Sequence, residues 1–255
     1  MLNFRSASIV TFILASMVFL LMDARIESLW IILPLAVIYL FLLAIGSVRI
    51  RSGFYVKALC RGNTNKKIVP MTFDDGPDEI HTPRILEILE NNQVRATFFI
   101  IGSKAEKQEN LVRQIVSKGH VIGNHSYTHA FFFDFFGRKK MEQDLLKAEG
   151  IIMRATGKRP LLFRPPYGVT NPVLAKVVKR LSYNVIGWSV RSFDTTIKDP
   201  DKVAHRIIKR LHPGAVVLMH DTRDVTAKAL EKVILKIKEE GYRFVSLEEL
   251  FEVND

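Results

Sequence analysis

The sequence predicts an α/β fold, about seven parallel strands covered by helices and preceded by an N-terminal transmembrane helical hairpin. Two observations predict it. Residues 1–50 hold two nearly uncharged runs, and from residue 68 onward short apolar runs alternate with helical patterns. Repeated strand–helix units build a parallel sheet, either open and doubly wound or closed into a (β/α) barrel. No glycine-rich phosphate loop follows the first strand, which favours the barrel.

The hairpin comes first. Ala7 to Met22 reads ASIVTFILASMVFLLM and Leu29 to Val48 reads LWIILPLAVIYLFLLAIGSV, with only the polar DARIES between them. A spanning helix needs about 20 apolar residues, with a range of about 17–25, so the second run suffices and the first is marginal. Arg5 and the first run would suit a signal peptide, yet no small-x-small site follows Met22 and the next segment is again apolar. A buried soluble hairpin fits less well, because neither helix has a polar face to turn to water. Residues 1–50 are therefore read as a hairpin with spans at about 7–22 and 29–48.

Residues 51–67, RSGFYVKALCRGNTNKK, turn abruptly basic and then turn-rich, as a basic juxtamembrane linker would. The net charge is +11, and since Arg5, Arg25 and Arg49 nearly cancel against Asp23 and Glu27, almost all of it lies beyond the hairpin. Such a surplus suits nucleic acid, lipid headgroups or a phosphorylated substrate and does not choose among them. Two spans return the chain to its starting side. Arg49, Arg51, Lys57, Arg61, Lys66 and Lys67 follow the second span, so the positive-inside rule points the domain at 68–255 to the cytoplasm. The single cysteine, Cys60, excludes an intrachain disulfide.

Within that domain, strands are expected at 68–73, 96–101, 120–123, 161–163, 183–188, 215–219 and 242–246. Helices are expected at 82–92, 106–119, 138–157, 171–181, 199–211 and 226–241. In such folds ligands sit at the C-terminal ends of the strands. The polar residues gather there. The first strand ends in Asp74 and Asp75, the third in NHSYTH with His125 and His129, and the fourth in FRPPYG with Arg164 and Tyr167. The fifth runs into WSVRSFDT with Asp194, and the sixth ends in LMHD with His220.

His125 and His129 are four apart and can reach one metal ion from a helical turn or a tight loop. With one carboxylate from Asp74 or Asp75 they make a two-His, one-carboxylate site that leaves coordination positions open. Non-haem iron oxygenases use the same set. The second aspartate favours hydrolysis, which needs an acidified water and a base beside it. His220 can supply the acid for a leaving amine, and Arg164 can keep the free aspartate ionised. Pro165 and Pro166 would stiffen the backbone that presents the N–H of Tyr167 to an oxyanion.

The motifs TFDDGP at 72–77, HSYTH at 125–129, RPPYG at 164–168 and LMH at 218–220 resemble, in order, those of the polysaccharide deacetylases with a NodB-homology domain, carbohydrate esterase family 4. The resemblance covers roughly residues 66–250 and implies a distorted (β/α) barrel. It implies Asp74 as general base, Asp75, His125 and His129 as metal ligands, and Tyr167 as oxyanion donor. It further implies Leu218 and Pro166 at the substrate and His220 as general acid. Where the family often has D-x-x-D-W this chain has RSFDT, with Arg191 for the first aspartate and Thr195 for the tryptophan, while Asp194 remains to orient Arg164 or His220.

The function this implies is hydrolysis of an N-acetyl group on an amino sugar, in a glycan or a lipid-linked glycan, with one divalent metal ion. Zinc is the first choice, and cobalt, nickel and iron accept the same ligands. An O-ester or N-formyl hydrolase uses the same chemistry, and an inactive membrane-anchored carbohydrate-binding protein is the non-enzymatic rival. The expected partners are the acetylated sugar and the membrane, with no nucleic acid. Many such family members act on wall polymers at the surface, against the charge bias noted above.

Other residues have simpler readings. Trp188 is expected in the core, Asn124 and Ser126 support a ligand or shape a loop, Asp78 and Asp221 punctuate turns, and His81, His120, His205 and His212 have no matching partners. The run AFFFDFFG, Ala130 to Gly137, puts five phenylalanines directly after His129, as a lid folded into the core or as an exposed patch suited to a membrane.

Overall fold

The computed structural model describes residues 3–21 and 29–252; residues 1–2, 22–28, which include Met22 at the expected end of the first span, and 253–255 lie outside the described residues. Helices α1 (Phe4–Leu21) and α2 (Leu29–Val48) are long and apolar enough to cross a membrane, and only 6% of each apolar window is buried by protein. They lie against each other, with the Ser8 and Tyr39 hydroxyls 2.8 Å apart.

The remaining elements follow in chain order: β1 (Ile68–Val69), β2 (Met71–Asp74), α3 (His81–Asn91), β3 (Ala96–Ile100), α4 (Gly102–Ala105), α5 (Glu109–Ser117), β4 (Val121–Asn124), α6 (Arg138–Thr156) and β5 (Leu162–Phe163). Then come α7 (Pro172–Arg180), β6 (Asn184–Val185), β7 (Val190–Arg191), α8 (Pro200–Lys209), β8 (Val217–His220), α9 (Asp224–Glu239), β9 (Arg243–Phe244) and α10 (Leu247–Phe251). Helix starts follow their sequence signals. Asn171 caps α7 by accepting from the Leu174 N–H, Asp199 caps α8, and in both a proline follows at the first helical position.

Seven strands form one parallel sheet in the order β6-β5-β4-β3-β2-β8-β7. The expected number is right, but one member differs. The run at 68–73 breaks at Pro70, whose missing N–H interrupts the strand. Its first half, β1, leaves the sheet and pairs with β9, so the run at 242–246 lies outside the barrel. The seventh place goes to Val190–Arg191, two residues that show no strand period of their own.

The sheet curls into an incomplete barrel. Its two edges, β6 and β7, are neighbours in the chain, and Ile186–Ser189 crosses the gap between them, the Ile186 N–H donating to Phe163 and that of Ser189 to Val216. Residues 51–67 fill the rest rather than hanging as a free linker. Leu59 donates to Val185 and accepts from Gly187 while bridging Ile186, and Arg61 bridges Ala215. Phe54, Val56 and Cys60 of this strap are buried. The central strands β2 and β3 are buried along their whole length, with Phe73 and Phe98 stacked at 5.1 Å.

Candidate metal centre and active site

All the polar strand-end residues singled out in the sequence meet at one end of the sheet. β2 and β8 are adjacent and in register, Asp74 opposite His220, so the two side chains start side by side. A cavity of about 270 Å³ lies over them, lined by Asp74, Asp75, His125, His129, Tyr167 and Leu218 among others. Its mouth adds Trp188, Arg191, Thr195, Gly168 and Arg223.

Asp75, His125 and His129 bring three potential ligand atoms within 4.8 Å of one another. Asp75 Oδ1 stands 3.5 Å from His125 Nε2 and 3.3 Å from His129 Nε2. The Arg164 carbonyl sits 2.7 Å from His125 Nδ1 and can only accept, so Nδ1 carries a proton and Nε2 is the nitrogen turned toward Asp75. Burial, then the neighbouring His125, push the His129 imidazole down to about 4, which leaves it neutral at physiological pH. Burial raises the Asp75 carboxyl, but the hydrogen bond and charge of His125 more than reverse this and hold it well below the usual carboxylate range. One anionic carboxylate and two imidazole nitrogens turned toward it fit a divalent cation.

The two histidines come from a tight loop, not from a helix. Ser126 and His129 both adopt positive φ, 66° and 46°, which doubles the chain back within five residues. Asn124 Oδ1 accepts from the Ser126 N–H and Ser126 Oγ from the His129 N–H, so both act as loop supports. The main clamp went unread in the sequence: Asp144 of α6 accepts from the N–H groups of Tyr127 and Thr128 and from the Thr128 hydroxyl. A signal existed, for Asp144 falls on the apolar stripe of Met141, Leu145 and Ala148, where a carboxylate needs a reason. Asp144→Ala is expected to weaken metal affinity about 10–100-fold with every ligand intact, as loss of a supporting partner does. Metal titration checks it, and unchanged affinity would show that the loop holds itself.

Asp74 is fixed by a fully buried Arg164. Nη1 of the arginine donates to Asp74 Oδ1 at 2.6 Å and to Thr72 Oγ1, while its other donors go to the carbonyls of Ile186 and Gly187. Asp74 Oδ2, which takes no hydrogen bond from the arginine, lies 3.9 Å from His125 Nε2 on the metal side. Asp194 orients His220 rather than Arg164, accepting from its Nδ1 at 2.7 Å and its N–H at 2.8 Å, with Ser192 and Thr226 donating to the same carboxylate. Burial lowers the pKa of His220, and the Asp194 bond and charge overcome this and raise it.

Backbone strain gathers around this site. Asp75 (φ 73°), Tyr167 (φ 58°) and Phe193 (φ 60°) join Ser126 and His129 in the left-handed region, which costs most for the aromatic residues. The Tyr167 N–H has no acceptor among the described residues, whereas those of Gly168 and Val169 are spent on Pro165 and Pro166. Pro166 is buried and shapes this turn without lining the cavity. Gly76 is required by packing: a Cβ there would lie 2.1 Å from an oxygen of Asp221, a buried carboxyl bonded to Thr82. Asp78 caps α3 through the Ile80 and His81 N–H groups.

Two expectations are revised. Trp188 packs against the buried cluster of Phe99, Leu162 and Ile186 but is partly exposed and also lines the cavity. The phenylalanine run divides: Phe133 and Phe136 pack in the core with Met141 and Leu145, while Phe131, Phe132 and Phe135 are 77%, 62% and 84% exposed.

A family model described as polysaccharide deacetylase matches residues 61–186. A peptidoglycan-N-acetylglucosamine deacetylase of Bacillus cereus is 36% identical over 191 residues, 73% of this chain and 89% of the relative. The chain belongs to the polysaccharide deacetylase family, carbohydrate esterase family 4. Among solved structures, a peptidoglycan N-acetylglucosamine deacetylase in complex with an N-hydroxybenzamide superposes with a TM-score of 0.74 at 35% identity, over 76% of this chain and 92% of that one. A family 4 pseudoenzyme from Bacillus anthracis superposes with a TM-score of 0.72 at 34% identity, over 76% of this chain and 68% of the other. Family membership makes this chain a deacetylase by class; its particular substrate and chemistry rest on its own residues.

Proposed function

We propose that this deacetylase removes the N-acetyl group from an amino sugar of a glycan, using one divalent cation, zinc by first choice, held by Asp75, His125 and His129. The observation that carries this reading is the placement of Asp74 Oδ2 and the Asp194-bonded His220 on adjacent strands beside the three ligands. When bound, such a cation would supply the Lewis acidity that acidifies a water molecule and polarises a carbonyl. Asp74 takes the proton of the attacking water, and Arg164 holds that carboxylate in position. The Tyr167 N–H donates to the carbonyl oxygen as charge builds on it. His220 delivers a proton to the nitrogen as the C–N bond breaks, leaving acetate and a free amine. Leu218 lines the space for the acetyl methyl.

An O-ester or N-formyl hydrolase would need only the same groups, so the leaving group separates the ester and the acyl group separates the formamide. Purified protein, metal-loaded, is expected to release acetate from N-acetylated sugars faster than acetate from O-acetylated ones or formate from N-formylated ones. Release from none of them would favour the inactive carbohydrate-binding reading. Arg191 and Arg223 at the cavity mouth have no carboxylate partner among the described residues, which favours sugars bearing an acidic group; the panel should pair acidic with neutral substrates.

Because His220 acts protonated, activity falls as pH rises through its pKa. Asp194→Asn removes the partner that raises this value, so the alkaline limb of the kcat/KM profile is expected to move to lower pH. An unmoved limb would take the acid role from His220.

The apolar helices are proposed to anchor the enzyme as a two-span hairpin. By the positive-inside rule their flanking charges favour the cytoplasmic side for the domain, where the acetylated glycan within reach would be a lipid-linked one. Labelling of an engineered domain cysteine in intact cells by an impermeant reagent would overturn that side and make the assembled polymer the substrate.

A further inference from the structure

The exposed phenylalanines share a loop with a proposed metal ligand, and that loop is joined to the end of the second apolar helix. Phe131 stands over Tyr167 at 6.3 Å and edge-on to Phe132 at 4.9 Å, and Phe132 meets Phe135 at 6.1 Å. Beneath them Phe133 and Phe136 root the loop in the core, 5.5 Å apart. Asn171 Nδ2 donates to the carbonyl of Asp134, in the middle of the run. The preceding residue, Thr170, donates its N–H to the Ser47 carbonyl at 3.0 Å and its hydroxyl to that of Gly46. Two hydrogen-bonded steps therefore connect the last turn of α2 to the aromatic tip.

The remaining surroundings suit the same surface. Arg138, Lys139 and Lys140 follow the run and are exposed, with Lys140 Nζ 3.9 Å from the Phe136 ring centroid. Ile80, 76% exposed, sits on the neighbouring loop after β2 at the same strand ends. Large aromatic side chains left in water together, with cations at their margin, are the composition of an interfacial segment. No free linker separates α2 from the domain, because Ile50 and Phe54 are already buried.

We propose that the lipid bilayer is a second ligand of the catalytic domain: Phe131, Phe132 and Phe135 insert at the headgroup boundary, Arg138, Lys139 and Lys140 face lipid phosphates, and the active-site mouth opens along the membrane. The inference rests on the two-span anchoring and is independent of which bond is hydrolysed. It confines the enzyme to glycan lying at the bilayer surface and withholds it from soluble chains.

The full chain in nanodiscs containing anionic lipid tests this. With Cys60→Ser, a nitroxide is attached at Phe135→Cys or, as a comparison, at Leu235→Cys on α9, and collision rates are measured with oxygen and with a water-soluble nickel chelate. Position 135 is expected to favour oxygen and position 235 the chelate. Chelate-dominated collisions at 135 equal to those at 235 would overturn bilayer contact. In a second measurement, Phe132→Ser with Phe135→Ser is expected to cut turnover of a lipid-carried acetylated sugar at least tenfold and of a short soluble analogue less than twofold. Equal losses would overturn the selective role. Failure of the unaltered enzyme to release acetate from any sugar would refute the deacetylase chemistry while leaving the collision result to stand or fall alone.

Discussion

Asp74→Asn is expected to lower kcat by about 10²–10⁴-fold, the range for loss of a positioned general base, while bound metal is retained. Asn keeps an oxygen to accept from Arg164 Nη1 and keeps the size of the side chain, so the pocket keeps its shape without its base, although the buried guanidinium loses its counter-charge and the variant should be less stable. His125→Ala or His129→Ala should lose the metal together with turnover, since each removes a ligand atom. Metal analysis beside kinetics separates the two outcomes. Equal metal loss in the Asp74 variant would mean that the roles of Asp74 and Asp75 are exchanged.

The second large effect concerns Arg164, which reaches no substrate and is completely buried. Arg164→Ala strips the counter-charge from Asp74 and leaves the Ile186 and Gly187 carbonyls without their donors. Breaking one half of a buried ion pair costs about 3–5 kcal/mol, because the remaining charge stays out of water. For a domain of this size that corresponds to a fall in Tm of roughly 10 °C. Arg164→Lys is expected to recover only part of it, since an ammonium cannot span the four acceptors of the planar fork. Thermal unfolding at fixed metal concentration reads the effect, and a Tm within a degree or two of the parent would show that this pair contributes little.

Which parts of this molecule were readable in its sequence follows from how local their causes are. Asp74, Asp75, His125, His129, Arg164 and His220 lie at the ends of apolar runs, and the alternation of elements alone puts them on one face. Strand membership was less local: β7 exists because Val190 and Arg191 find Val217 and Leu218, and nothing in two residues announces that pairing. Pro70 was visible, yet the partner it frees β1 to meet lies at the far end of the domain. The loop clamp at Asp144 and the orienting hydroxyls of Ser192 and Thr226 depend on elements brought together only by folding. The phenylalanine run carried two causes at once, core and surface, and only the backbone turn at Phe133–Phe135 sorts its members.

The strap through Leu59 and Arg61 has a practical consequence for anyone wishing to handle the domain without its hairpin. Cutting at residue 67, just ahead of β1, would strip β6 and the 186–189 crossing of their partner and bare the donors and acceptors now occupied by Leu59. Unpaired strand edges recruit other chains, so that fragment should self-associate and precipitate. A cut before Phe54 retains the pairing through Leu59 and Arg61 and keeps the seam shut, and the fragment beginning there should precipitate less than the one cut at residue 67.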